Sequence, residues 1–261
     1  MWGVDGRPTN LHSHSGFTPY HLIPNTHSLL PIPPSFPYAL LTFPNPMLRL
    51  LSLAAASLIT LVVSAADVPT VTKVACVGDS ITQGSGTKGK GMAYPDQLQA
   101  LLGEKFKVGN FGVSGRTLLK KGDFPYTKEK RYQDALTFAP NVVVIMLGTN
   151  DTKPQNWKHE GDFEADYKDL VKSFQKLTTK PKVFLCRPVP VPGTGNYGIN
   201  EANVQKEIPR IDALAKELGC EVIDMHAALE AHPEMLPDRV HPNNEGAAEM
   251  AKAAAKAIAS K

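Results

Sequence analysis

Between residue 71 and the carboxyl terminus, five apolar runs alternate with segments of helical period, and that alternation excludes most folds. The runs are 71–77, 106–110, 142–147, 182–186 and 221–223. The helical segments are 94–102, 128–138, 162–177, 201–218 and an alanine- and lysine-rich stretch at 245–258. Strands that alternate with helices build βαβ units, whose right-handed crossovers put helices on both faces of a parallel sheet. The expected fold class is therefore α/β, a flavodoxin-like three-layer α/β/α sandwich with a five-stranded parallel sheet ordered 2-1-3-4-5. No internal repeat and no second domain is visible in this region.

A parallel sheet gathers the loops that follow its strands at one edge, where ligands bind. Four of those loops are polar, and three of them are marked by glycine. Gly78-Asp79-Ser80 ends the first run, and Asn110-Phe111-Gly112-Val113-Ser114-Gly115-Arg116-Thr117 follows the second. Gly148-Thr149-Asn150-Asp151 follows the third, and Asp238-Arg239-Val240-His241-Pro242-Asn243 precedes the last helix. Taken alone, Ser80 is equally well a helix cap or a turn residue. Local chemistry explains each segment singly but explains the set poorly.

The first 46 residues differ from the rest. They hold 9 of the 22 prolines and 4 of the 8 histidines, but Asp5 and Arg7 are their only charges. No helical or alternating period runs through them, so disorder is expected for 1–46. The histidines are spread out, without the acidic or cysteine partners of a metal site. Met47-Leu48-Arg49, an apolar run over 50–63 and Ser64-Ala65-Ala66 have the layout of a secretory signal peptide. The expected start of translation is Met47, with 47–66 as signal peptide and 67–261 as the exported domain. The apolar run is too short to span a bilayer stably. A net charge of +3 gives no footprint for nucleic acid. Cys76, Cys186 and Cys220 lie in or beside apolar runs and read as small buried hydrophobes, with neither a disulfide framework nor zinc spacing.

Acyl transfer needs a nucleophile, a base, a group that orients the base, and donors for the developing oxyanion. Ser80 supplies the hydroxyl. Asp238 and His241 are three residues apart on one loop, where the carboxylate can bond Nδ1 and leave Nε2 for the serine. The catalytic candidates are thus Ser80, Asp238 and His241. The oxyanion-hole candidates are the backbone N–H groups of Ser80 and Gly115 and the side-chain amide of Asn150.

These segments resemble the four sequence blocks of the SGNH (GDSL) hydrolases, built around a serine, a glycine, an asparagine and a histidine. Gly-Asp-Ser-Ile-Thr looks like the first block, with Ile81 where the family often has leucine. Asn-Phe-Gly-Val-Ser-Gly-Arg-Thr, Gly-Thr-Asn-Asp and Asp-Arg-Val-His-Pro-Asn look like the other three. The resemblance runs from about residue 71 to the end of the chain. It implies the three-layer sandwich, ester hydrolysis without cofactor or metal, and the same roles for Ser80, Gly115, Asn150, Asp238 and His241. Export, a short chain and polar strand ends point to a small acyl group on a polar alcohol. Among exported relatives this resembles the carbohydrate O-acetylesterases, so acetyl esters of carbohydrates, as small molecules or polysaccharides, are the expected substrates. The alternative is a lysophospholipase or a general short-chain esterase or thioesterase. Arg116, Trp157 and Arg187 are expected around the substrate.

Two further motifs carry less. Gly84-Ser-Gly-Thr-Lys-Gly89 satisfies G-x-G-x-x-G but starts well after the strand and lacks the Ser or Thr a P-loop needs. Asp79 and Asp151 invite a paired-carboxylate glycosidase reading, but local bonding to backbone N–H groups accounts for each. His159, His226 and His232 have no aspartate placed like Asp238, and surface or capping roles are expected for them.

Overall fold

The structure, a computed structural model, describes residues 70–260. The proline-rich segment and the signal-peptide pattern lie outside the described residues.

Five parallel strands pair in the order β2-β1-β3-β4-β5, as the alternation predicts. They are β1 (Thr72–Gly78), β2 (Phe106–Gly112), β3 (Val142–Met146), β4 (Lys182–Arg187) and β5 (Glu221–Asp224). The α-helices are α1 (Ser80–Gln83), α2 (Tyr94–Leu102), α3 (Lys130–Thr137), α4 (Pro154–Trp157), α5 (Phe163–Gln175), α6 (Glu201–Leu218), α7 (Met225–Leu229) and α8 (Asn244–Ala259). The five long helices fall where the periodicity puts them. The short ones, α1, α4 and α7, were not anticipated, because four or five residues are too few to show a period.

Successive strand residues face opposite sides of the sheet, and the core divides accordingly. Ala75, Val77, Val143, Ile145, Val183 and Leu185 pack under α5 and α6, against Phe163, Tyr167, Phe174 and Ile211. Val74, Cys76, Val144, Met146, Phe184 and Cys186 pack on the other face under α2, α7 and α8, against Leu98, Leu229 and Met250. Each fully buried Leu, Ile or Phe contributes roughly 1.5–3 kcal/mol, so both helical layers are held by their own apolar cluster. Cys76 and Cys186 are buried and Cys220 half-buried, all as free thiols.

The register aligns Gly78 of β1 with Gly112 of β2 and Met146 of β3. The segments after these strands therefore leave the sheet side by side. β2 runs two residues further than the apolar pattern suggests, so the loop carrying Gly115 begins only at Val113. That loop is tied to α1 by Ser114 N donating to Gln83 Oε1 at 2.7 Å. Asn110 braces the same junction, its amide donating to Thr82 O at 2.8 Å.

Candidate active site

Ser80 is the first residue of α1. The cap of that helix is Asp79, whose Oδ1 accepts from Ile81 N at 3.0 Å. Capping, the competing role for Ser80, thus belongs to its neighbour, and the serine hydroxyl is left to other partners. Ser80 Oγ lies 2.9 Å from His241 Nε2. His241 Nδ1 lies 2.7 Å from Asp238 Oδ2. The other oxygen of that carboxylate accepts from the backbone N–H of Val240 at 3.0 Å and of His241 at 2.7 Å. Burial pushes the Asp238 carboxyl up, but the bonds from His241 and Val240 outweigh it and hold the group below the usual carboxylate range.

The loop bearing His241 is fixed from both sides. Asn243 caps α8 by accepting from Gly246 N, and its own N–H donates to Met235 O at 2.8 Å. Gly86 packs against the loop with φ +91°, and a Cβ there would come within 2.6 Å of Pro242 O and 2.8 Å of His241 Cβ. This close approach gives one glycine of the G-x-G-x-x-G match a structural reason unrelated to phosphate binding.

Ser80, Gly115, Asn150 and His241 line one cleft of about 240 Å³, together with Ser114, Lys153, Tyr197 and Ile199. Among the described residues, the backbone N–H groups of Ser80 and Gly115 donate to no protein acceptor. Nothing lies within 4 Å of a Cβ placed on Gly115, whose φ is +79°. That left-handed backbone conformation favours glycine here. Asn150 Nδ2 donates over long distances to Asp79 Oδ2, 3.3 Å, and Arg116 O, 3.2 Å. The asparagine therefore braces the first two loops as well as lining the cleft.

Asp79 and Asp151 are both fully buried. Burial raises Asp79 to about 6 against the bond from Ile81 N, and raises Asp151 to about 7 against bonds from Leu119 and Leu118. Asp79 holds its own turn through Ile81 N as expected, whereas Asp151 reaches across to the N–H groups of Leu118 and Leu119 beyond the second strand. Neither carboxylate lines the cleft, which leaves the paired-carboxylate reading without support.

The three residues expected around the substrate lie elsewhere. The Arg116 guanidinium pairs with Glu129 and donates to Ser114 O, so only its backbone reaches Asn150. Trp157 is a core residue, 8% exposed, with its ring tilted against Phe163 at 6.4 Å between centroids. Arg187 is held by Asp212 and Asp224 beside the last strand. None of the three lines the cleft. Among the other histidines, His232 pairs with Glu234, whereas His226, expected at the surface or as a cap, is buried and pairs with Glu201.

Lys153, Tyr197 and Ile199 line the cleft without having been singled out. Tyr197 and Ile199 belong to the loop after β4. The only signal for them was an aromatic set among glycines in Gly193-Thr-Gly-Asn-Tyr-Gly198.

A serine, a histidine and an aspartate bonded in series at the carboxyl edge of a parallel sheet form the arrangement that nucleophilic acyl transfer requires. Residues 76–249 match the GDSL-like lipase/acylhydrolase family, and the chain belongs to that family. It is similar to an acetylxylan esterase of Xylanibacter ruminicola, with 41% identity over 206 residues. That match covers 71% of this chain and 43% of the relative, so the chain spans less than half the relative's length. Among solved structures, an acetyl xylan esterase is 26% identical, with a TM-score of 0.56 over 71% of this chain and 99% of that one. A carbohydrate acetylesterase family member from Sinorhizobium meliloti shares the fold, at 23% identity and a TM-score of 0.60 over 72% of this chain and 97% of that one.

Proposed function

We propose that the protein is an esterase that removes short acyl groups, chiefly acetyl, from carbohydrates through an acyl-enzyme. His241 Nε2 takes the Ser80 proton as Oγ attacks the ester carbonyl. The tetrahedral oxyanion is met by the N–H groups of Ser80 and Gly115 and by the Asn150 amide. His241 then gives its proton to the leaving sugar oxygen as the C–O bond breaks. It next takes a proton from water, which attacks the acyl-enzyme, and returns that proton to Ser80 as acetate departs. Asp238 holds the imidazole with its proton on Nδ1 and stabilises the imidazolium formed in each half.

The observation that carries this reading is the series Ser80–His241–Asp238 opening on a cleft of about 240 Å³. Ligand pockets commonly run to about 300–1,000 Å³, so this one suits a small acyl group better than a lipid chain. The names of the relatives support the same substrate class. Released acetate from acetylated xylo-oligosaccharides, measured beside a chain-length series of p-nitrophenyl esters, tests it. Activity should be greatest on acetate and fall steeply with acyl length. Preference for long acyl chains or lysophospholipid would favour the lipolytic alternative instead.

We also propose that residues 47–66 act as a cleaved leader and that the enzyme works outside the cytoplasm. The basic start, short apolar run and Ser64-Ala65-Ala66 support this. No helix of the described residues is long and apolar enough to cross a membrane. Amino-terminal sequencing of the native protein should find Asp67 first, and a terminus upstream of Met47 would refute the leader.

A further inference from the structure

The wall of the cleft beside His241 is built from a strained aromatic and an unpaired cation. Tyr197 has φ +53°, rare for a bulky residue and a conformation that costs energy to hold. It stays 58% exposed, with its ring centroid 5.7 Å from that of His241. The strain is opposed by local bonds. Tyr197 N donates to Asn196 Oδ1 at 2.8 Å, the Asn196 amide donates to Asp238 O at 3.1 Å, and the phenol hydroxyl reaches Asp238 Oδ2 at 3.4 Å. An exposed ring is thus held in a fixed pose beside the base. Because His241 protonates the leaving alcohol in the proposed reaction, that ring adjoins the departing sugar.

Lys153 lies against the same loop. A Cβ on Gly198 would sit 3.7 Å from Lys153 Cγ, so the lysine stem packs beneath the residue that follows Tyr197. Its backbone is fixed at the start of α4, where its carbonyl accepts from Asn156 N and Trp157 N. Among the described residues, its ammonium makes no hydrogen bond and has no carboxylate within 4 Å. The half-buried arginines Arg116, Arg187 and Arg210 are each paired with one. The acid that Lys153 does influence is Asp79, which is buried and already bonded to Ile81 N and Asn150. Arg239 touches the same loop, donating to Thr194 Oγ1 and Gly195 O, both neutral. The cleft therefore presents the Tyr197 ring together with a cation, Lys153, that has no surface carboxylate within 4 Å among the described residues.

We infer that Tyr197 and Lys153 form a sugar subsite on the leaving-group side of the cleft, selecting acetyl esters carried next to an acidic sugar. The phenol ring stacks on the pyranose bearing the ester. The Lys153 ammonium takes the carboxylate of a neighbouring uronic acid. This inference rests on the esterase reading above and adds the charge of the substrate to it.

The test compares kcat/KM, from released acetate, on acetylated xylo-oligosaccharides with and without a glucuronic acid branch, with p-nitrophenyl acetate alongside. Wild type should favour the branched substrate about tenfold at low salt, the size of one charge-assisted hydrogen bond. The preference should shrink as salt screens it. Lys153→Gln should bring the ratio near one, and Lys153→Glu should invert it. Lys105→Glu makes the same charge change on an exposed residue just before β2, at the opposite edge of the sheet, and should keep the wild-type ratio. Tyr197→Ala should raise KM on both oligosaccharides more than on p-nitrophenyl acetate. Equal kcat/KM on both oligosaccharides in wild type, or an unchanged ratio in Lys153→Glu, would overturn the subsite while leaving the esterase standing. No hydrolysis of any of the three substrates by wild type would overturn the esterase reading, and the subsite with it.

Discussion

Asp238→Asn replaces one oxygen with an amide nitrogen, and the surrounding bonds decide which one. Oδ1 accepts two backbone N–H bonds, from Val240 and His241, so the amide oxygen has to take that place. The NH2 group then faces His241 Nδ1, 2.7 Å away in the wild type. Two donors cannot share that line, so the imidazole must accept at Nδ1 and carry its proton on Nε2. That nitrogen is 2.9 Å from Ser80 Oγ and, once protonated, cannot take the serine proton. The loss expected for a base held in the wrong tautomer is about 10⁴ in kcat, or about 5 kcal/mol. KM should change little, because the defect appears only as the proton moves. The two backbone bonds survive, so Tm should fall by no more than about 4 °C, the equivalent of about 1 kcal/mol in a domain of this size. Asp238→Ala removes those backbone bonds too, and should melt lower at a similar kcat. The assay is kcat for p-nitrophenyl acetate, well below both melting temperatures, with Tm taken on the same preparation. An Asp238→Asn enzyme that is folded and within tenfold of wild type would refute the orienting role.

Asn150→Ala should lower kcat by roughly 10²–10³ as one oxyanion donor is lost. It should also cost about 1–3 kcal/mol of stability, because the buried Asp79 Oδ2 loses a bond; kcat preserved per folded molecule would leave the asparagine a structural brace only. Asp79 and Asp151 titrate at about 6 and about 7 in the folded protein but near 4 when unfolded, so folding takes up protons between these values. Their stabilising contribution is complete below pH 4 and is lost as pH rises through 6 and 7. Tm measured from pH 4 to 8 should therefore fall less steeply in Asp151→Asn than in wild type, and equal slopes would contradict the assignment.

The sheet order and the five long helices could be read from the sequence because each depends on a pattern repeated over many residues. Val74 to Val77 alternate between two faces that are both covered, which gives an unbroken apolar run, and α6 keeps its period through Pro209. Ser80, Asp238 and His241 were legible for another reason: they lie on two of four short polar segments that the alternation of strands and helices sends to one edge. The substrate contacts were not legible. Arg116 and Arg187 carry the right chemistry, but carboxylates on distant elements, Glu129, Asp212 and Asp224, claim them. Trp157 belongs to a four-residue helix whose inward face no period could reveal. Conversely, Lys153 and Tyr197 reach the cleft through loop conformations, one set by a proline that follows and the other by a positive φ, and neither leaves a periodic trace.

The proposed reaction passes through a covalent acyl-enzyme on Ser80. Rapid acid quenching during turnover of an acetyl ester, followed by peptide mass mapping, tests it most directly. One added acetyl group is expected, on the peptide holding Ser80 and at that residue, and none in Ser80→Ala. Acetyl on Ser114, or turnover by Ser80→Ala at the wild-type rate, would contradict it.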